Sequence, residues 1–194
     1  MDILEEAFKN YRPARRTNVV RNEKAYADCF SFTSEELERL VEVYRTTVFE
    51  DDMRARLLRD SIDHHIRRYQ KYSIQGKFKS HYYQRGISLT SAETIFEHII
   101  PEAQIRDSLI EGKITISQAL NSPTCRISRD SNKLLNARGM HDQNTDPWRF
   151  FKRYTVGLAG GKDPVEFETY NGQIINDLDN WTFRDHYDFF GIKD

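Results

Sequence analysis

The sequence predicts an α+β protein, mostly helical, with a small strand-bearing core. Three observations predict it. Two long segments before residue 73 repeat apolar residues at spacings of three and four, the period of a helix with one buried face. Two short β-branched runs, 94–100 and 125–128, break that period in the middle of the chain. The hydrophobic share is only 38%, but twelve Phe, ten Tyr and two Trp among 194 residues are large enough to fill a core.

Residues 1–30 carry few periodic signals, and Pro13 with the Arg15-Arg16 pair suggests an irregular arm. Thr33, followed three residues later by Glu36, reads as an N-cap with its capping-box partner. Leu37, Leu40, Val41, Tyr44 and Val48 form the apolar stripe of the helix that follows. A second helix is expected from about Asp51 to Tyr72, with Leu57, Leu58, Ile62, Ile66 and Tyr69 as its stripe, and the two helices are expected to pair antiparallel. From Ser73 the period changes. Thr94 to Ile100 reads as a short buried strand ended by Pro101. Glu102 to Glu111 reads as a helix stopped by Gly112, Ile116 to Leu120 as one more turn, and Cys125 to Ser128 as a second strand. Ser131 to Leu135 opens a turn or helix closed by Gly139. An aromatic helix is expected over Trp148 to Tyr154, and Gly157, Gly160 and Gly161 mark a flexible stretch. Thr182 and Asp185 predict a capping box for a last helix that docks through Trp181, Phe183, Tyr187, Phe189 and Phe190. These elements group as a helical region 1–85, a core 86–156 and a C-terminal closure 157–194 within one domain.

No apolar run approaches the roughly 18 residues that a membrane span needs. Met1 to Glu6 is acidic and lacks a signal-peptide apolar segment, so a cytoplasmic protein with no membrane partner is expected. Cys29 and Cys125 are the only cysteines and form no CxxC pair, which excludes a four-cysteine zinc site and disfavours a disulfide framework. The net charge of −1 is uninformative, but its distribution is not. Arg54 to Arg85 contains nine Lys/Arg against Asp60 and Asp63, a net of +7, whereas residues 86–194 carry a net of −4. A local basic face of that kind suits phosphates, and equally a solvated helix surface.

Chemistry concentrates in Phe96-Glu97-His98-Ile99-Ile100-Pro101, followed later by Asn132 and His141. Cutting a phosphodiester requires a base for water and neutralisation of the charge that develops. A histidine at a strand end can supply the base, and a neighbouring carboxylate offers a hard oxygen to a cation. Neighbours on a strand point to opposite faces, so Glu97 and His98 serve one site only if the strand ends or twists there. Arg126, Arg129, Lys133 and Arg149, with Arg138, Lys152 and Arg153, give residues 126–153 a net of +4 suited to phosphate contact. Arg67 and Arg68 in the basic segment extend that track. Plain structural roles stay open: a core histidine at 98, a helix N-cap at Asn132, a loop histidine at 141, and core packing for Tyr82, Tyr83 and Trp148.

The run Glu97-His98-Ile99-Ile100-Pro101 resembles the acidic-His-Ile-Ile-Pro signature of the HNH, or His-Me finger, endonucleases. The nine-residue spacing of Asn132 and His141 is similar to that family's, and Leu134 or Leu135 matches its leucine. The resemblance covers roughly residues 94–141. It implies a small ββα-metal core, with Glu97 a metal ligand and His98 the general base. It implies that Asn132 orients the His98 loop and that His141 completes the metal site, with Asp142 or Asn144 as alternatives to His141. The implied cofactor is a divalent metal, Mg2+ first, then Mn2+ or Zn2+. The implied activity is endonucleolytic cleavage of DNA, of restriction, homing or phage type, by a homodimer because one metal centre cuts one strand. The alternatives are a non-catalytic helical module that binds nucleic acid or protein, and a toxin that cleaves RNA.

Weaker groupings carry less. Asp63-His64-His65, with His81 nearby in sequence, has the residue types of a metal site, but adjacent helical histidines point about 100° apart and rarely share an ion. His186, between Asp185 and Asp188, reads as surface charge pairing. Gly157 to Lys162 lacks the Walker spacing, and neither cysteine sits in a nucleophile signature.

Overall fold

Helices α1 (Glu23–Thr46) and α2 (Asp52–Ser73) form a long hairpin. Phe30 meets Tyr69 at one end and Tyr44 meets Arg59 at the other, so the two run antiparallel. The structure, a computed structural model, describes residues 23–50, 52–73, 80–88, 93–140, 146 and 148–192. Within those residues the fold is mixed α+β and mostly helical, with one small four-stranded sheet. None of the described helices is long and apolar enough to cross a membrane.

The first helix differs from its expected bounds. It begins at Glu23, so the arm expected over 1–30 is helical from there, while residues 1–22 lie outside the described set. Thr33 is therefore an interior residue, and its hydroxyl donates to the Cys29 carbonyl at 2.7 Å instead of capping. The stripe continues upstream because Cys29 and Phe30 pack on the same core as Leu37, Leu40 and Val41. At the other end Val48 lies beyond the helix and is exposed, as is Leu57 at the start of the next, because the hairpin tip projects past the core.

The sheet is ordered β2-β3-β1-β4, from β1 (Tyr82–Gln84), β2 (Thr94–His98), β3 (Thr124–Ser128) and β4 (Phe167–Thr169). β2 and β3 are antiparallel, β1 and β3 parallel, and β1 and β4 antiparallel. β1 and β4 have three residues each, too few to show a period in sequence. One strand comes from the expected 1–85 region, two from 86–156 and one from 157–194, so the sheet joins all three.

Between β2 and β3 the chain makes α3 (Glu102–Ile110) and α4 (Ile116–Leu120). α4 carries a full capping box from Thr115 and Gln118. α2 clamps this excursion: Arg106 binds Asp63 at 2.7 Å, and buried Gln70 donates to Ser122 Oγ at 2.6 Å. Arg45 of α1 donates to the Leu109 and Ile110 carbonyls, closing the C-terminus of α3. After β3 follows α5 (Arg129–Ala137), capped by Ser128. The expected aromatic helix begins later, as α6 (Lys152–Gly157), because tight turns at 149–152 and 151–154 swing Phe150 and Phe151 inward first. Gly157 is buried at the end of α6, whereas Gly160 and Gly161 follow it exposed. Arg138 caps that helix through the Gly157 and Ala159 carbonyls.

The last helix, α7 (Phe183–Phe190), has the expected Thr182–Asp185 capping box. His186 departs from expectation. It is fully buried, not surface paired. Its Nδ1 meets the Tyr82 hydroxyl at 2.8 Å and its Nε2 the Asn121 carbonyl at 2.8 Å, while the Trp181 indole donates to the same hydroxyl at 3.0 Å. The buried His81 ring packs 4.8 Å away, edge on, and bonds Thr124. The closing helix is thus latched to the sheet by neutral imidazoles.

Burial lowers the His186 pKa from 6.5 to about 4 and holds His81 well below its ordinary value, with the neighbouring imidazole adding to the effect at His81. The unfolded chain takes up these protons below pH 6.5 and the folded chain refuses them. Stability is therefore full above pH 6.5 and falls as pH drops toward 4, by about 3 kcal/mol for His186 alone. Urea midpoints at pH 7 and pH 5 check this, and the loss should shrink in His186→Asn. A Cβ on Gly157 would lie 2.5 Å from Leu135 Cδ2 and 2.9 Å from Met140 Sδ. Since Leu135 is fully buried, Gly157→Ala is expected to cost about 1 to 2 kcal/mol despite the helix-propensity gain. Denaturant titration reads it, and equal stability would show a looser α5–α6 contact.

Candidate functional site

β2 pairs regularly with β3 through both residues of interest, Glu97 opposite Cys125 and His98 opposite Thr124. Strand alternation therefore holds to the end. Thr94, Phe96 and His98 share one face with Ser128, Arg126 and Thr124. Ile95 and Glu97 share the other with Ile127 and Cys125. The two residues that sequence proximity joins are separated by the sheet itself.

On the inner face Glu97 is 7% exposed and enters a dense polar cluster. Its Oε2 accepts from Arg153 Nη2 at 2.6 Å and from the Tyr154 hydroxyl at 2.9 Å. Arg153 is 1% exposed and also donates to the Tyr154 hydroxyl at 2.7 Å. Burial opposes the charge on Arg153, but Tyr154 and Glu97 outweigh it and raise its pKa above the ordinary value. Burial, reinforced by the Glu97 charge, pushes the Cys125 thiol up, so it is no nucleophile at neutral pH.

On the opposite face His98 Nδ1 lies 2.9 Å from Glu102 Oε1. Glu102 in turn accepts from Arg67 Nε at 2.9 Å and also bonds Arg67 Nη2. Burial raises the Glu102 pKa, but bonds from His98 and Arg67, and their charges, outweigh it and hold the carboxyl at about 2. His98 Nε2 is buried with no hydrogen-bond partner among the described residues. Arg126 stands on the same face, opposite Phe96 and so diagonal to His98, a spacing of about 7–8 Å between backbones. Its Nη1 donates to Thr94 Oγ1 at 3.2 Å.

The structure brings together His98 and, through Glu102, Arg67 among the residues singled out in the sequence, whereas the Arg126 guanidinium leans to Thr94, four residues from His98 along β2. Glu97 lies across the sheet from them. Asn132 sits in the interior of α5, not at its cap, and its Oδ1 is buried without a partner among the described residues. His141, Asp142 and Asn144 lie outside the described residues. Arg68, Arg129, Lys133 and Arg149 are exposed. Lys133 reaches Asp130 at 3.4 Å, too weak a contact to withdraw its charge from solvent. Tyr82 and Tyr83 are core residues, and Trp148 is half exposed.

A divalent cation does not fit Glu97 as it stands. The carboxylate is neutralised by a buried guanidinium and faces away from His98. Among the described residues no three of His, Cys, Asp and Glu cluster to hold a metal. Glu102 and Tyr154 carry no site signal in the sequence, and Arg153, expected among the cations suited to phosphate, is instead buried against Glu97. Glu102 is four residues from His98, but a strand, a proline and a helix start separate them, so no single period links the two. Arg153 carried no local signal beyond its charge.

Removing one partner of the buried pair strands the other. Arg153→Met is expected to cost about 3–5 kcal/mol, and Arg153→Met with Glu97→Gln less than the sum of the single changes. Chemical denaturation of the four proteins measures this, and a loss under about 1 kcal/mol for Arg153→Met would show that the pair is not structural.

Comparison with protein-family models, with characterised proteins and with solved structures finds no match for this chain.

Proposed function

We propose that the protein hydrolyses phosphodiester bonds of nucleic acid, double-stranded DNA first, with His98 as general base. The observation that carries this reading is the state of the His98 ring. One nitrogen is held by a carboxylate, and the other is buried with no hydrogen-bond partner among the described residues. The HNH resemblance supports the substrate class. The first two residues of its motif, Glu97 and His98, end β2, and β3 and α5 come later in the chain, with Asn132 on the helix and residues 99–123 inserted between the strands.

In this reading His98 Nε2 takes a proton from water, the resulting hydroxide attacks phosphorus, and the opposite P–O bond breaks, its leaving oxygen taking a proton from solvent. Arg126, on the same face but hydrogen-bonded to Thr94, meets the growing negative charge once its guanidinium swings toward His98. Exposed Arg68, Arg129, Lys133 and Arg149 suit backbone phosphates, which fix the position of a duplex without reading its bases. No step is routed through a metal at Glu97.

One observation favours a second reading, a non-catalytic module that binds nucleic acid or protein. Glu97, the residue the motif would give to a metal, serves the core through Arg153.

A plasmid-nicking assay in magnesium, manganese or EDTA separates the readings. Wild type is expected to nick, and His98→Ala to lose at least about 100-fold in rate with its circular dichroism unchanged. Equal cleavage by His98→Ala would sink the proposed base. DNA retained in a mobility shift, with no cleavage of DNA or RNA in any metal, would favour the binding module. Faster cleavage of RNA than of DNA would reassign the substrate.

A further inference from the structure

The geometry points to Glu102 as the positioning residue that fixes the protonation of the His98 ring, with Arg67 holding Glu102 in place. This rests on the hydrolase reading above and adds to it two residues outside the motif.

A carboxylate only accepts hydrogen bonds. With Glu102 Oε1 2.9 Å from His98 Nδ1, the ring must carry its hydrogen on Nδ1. The neutral imidazole then has its lone pair on Nε2, the nitrogen left without a partner among the described residues. A base needs that tautomer, and the reverse one would present a donor to the water.

Glu102 itself is kept from turning. Arg67 Nε lies 2.9 Å from Oε1 and 3.1 Å from Oε2, and Nη2 also bonds Oε2. This two-pronged grip fixes the plane of the carboxylate. Its two ends come from different elements. Glu102 opens α3 just after Pro101, and Arg67 stands on α2, which Asp63 ties to Arg106 of α3 at 2.7 Å. The hairpin thus reaches across to set the ring on the sheet. Arg67 sits in the basic segment suited to phosphates, yet its guanidinium is spent on Glu102.

Two measurements on the full-length protein test this. Long-range 1H–15N spectra of neutral His98 report which nitrogen carries the hydrogen, with or without activity. Wild type is expected to show Nδ1–H, and Glu102→Gln a mixture of both tautomers, since an amide can donate as well as accept. Steady-state nicking, read below each variant's melting temperature, is expected to show kcat lowered roughly 10- to 100-fold in Glu102→Gln with KM unchanged, while the melting temperature falls because the Arg67 ion pair is lost. Arg67→Ala should shift kcat in the same direction by less. A merely structural role would lower the melting temperature and leave kcat and the His98 tautomer of the folded protein as in wild type. An Nε2–H tautomer in wild type overturns the inference whatever the cleavage shows. So does wild-type kcat in Glu102→Gln. A raised KM with a shallower salt dependence in Arg67→Ala would make Arg67 a phosphate contact and remove it from the relay. Failure of the wild type to cleave at all sinks the hydrolase reading and the positioning role with it. The tautomer spectrum then still reports separately whether Glu102 sets the His98 ring.

Discussion

The alternation of side chains along β2 is the constraint from which the rest follows. Because pairing with β3 is regular to its last residue, Glu97 and His98 are sent to opposite faces. The inward carboxylate must be neutralised, and Arg153 with Tyr154 does so from α6. A lone buried charge there would cost several kcal/mol. The imidazole on the other face is left to a second carboxylate, Glu102, whose own charge Arg67 balances. One strand thus anchors a wholly buried ion pair on one face and, through the His98–Glu102 hydrogen bond, the Glu102–Arg67 pair at the protein's margin on the other.

The helical hairpin has a purpose beyond burial of its stripe. The chain leaves the sheet after β2, makes α3 and α4, and returns as β3. That excursion would be loose without support. α2 holds it at Asp63, Arg67 and Gln70, and α1 closes α3 through Arg45. The surroundings of His98 are therefore as rigid as the contact between hairpin and excursion. At the far side, the Tyr82–His186–Trp181 bonds latch α7 to β1, so the short sheet is supported from both directions.

Much of the helical framework was legible because period and capping act over a few residues. The stripe Leu37, Leu40, Val41 and the stripe Ile62, Ile66, Tyr69 are buried as their spacing implied. Thr182 and Asp185 form the capping box read from their separation of three. The errors are equally physical. Thr33 carries a good cap sequence but lies inside a helix, since the Cys29 carbonyl is an equally near acceptor and Cys29 and Phe30 extend the apolar face. His186 is flanked by aspartates, yet helical geometry turns it inward while Asp185 caps the helix start.

The sequence by itself determined the helices with sustained periods, the two strands of the motif, and the histidine at the end of one of them. Each of these is settled by neighbours within a turn of helix or a strand's length. Only the tertiary structure decided which carboxylate serves that histidine. Glu97 is adjacent in sequence and lost to the core, whereas Glu102 reaches it across a proline and a change of element. Arg153 and Arg67 entered as partners of these two carboxylates by the same route. A charge's partner is chosen by proximity and desolvation in three dimensions, and no spacing along the chain encodes that choice.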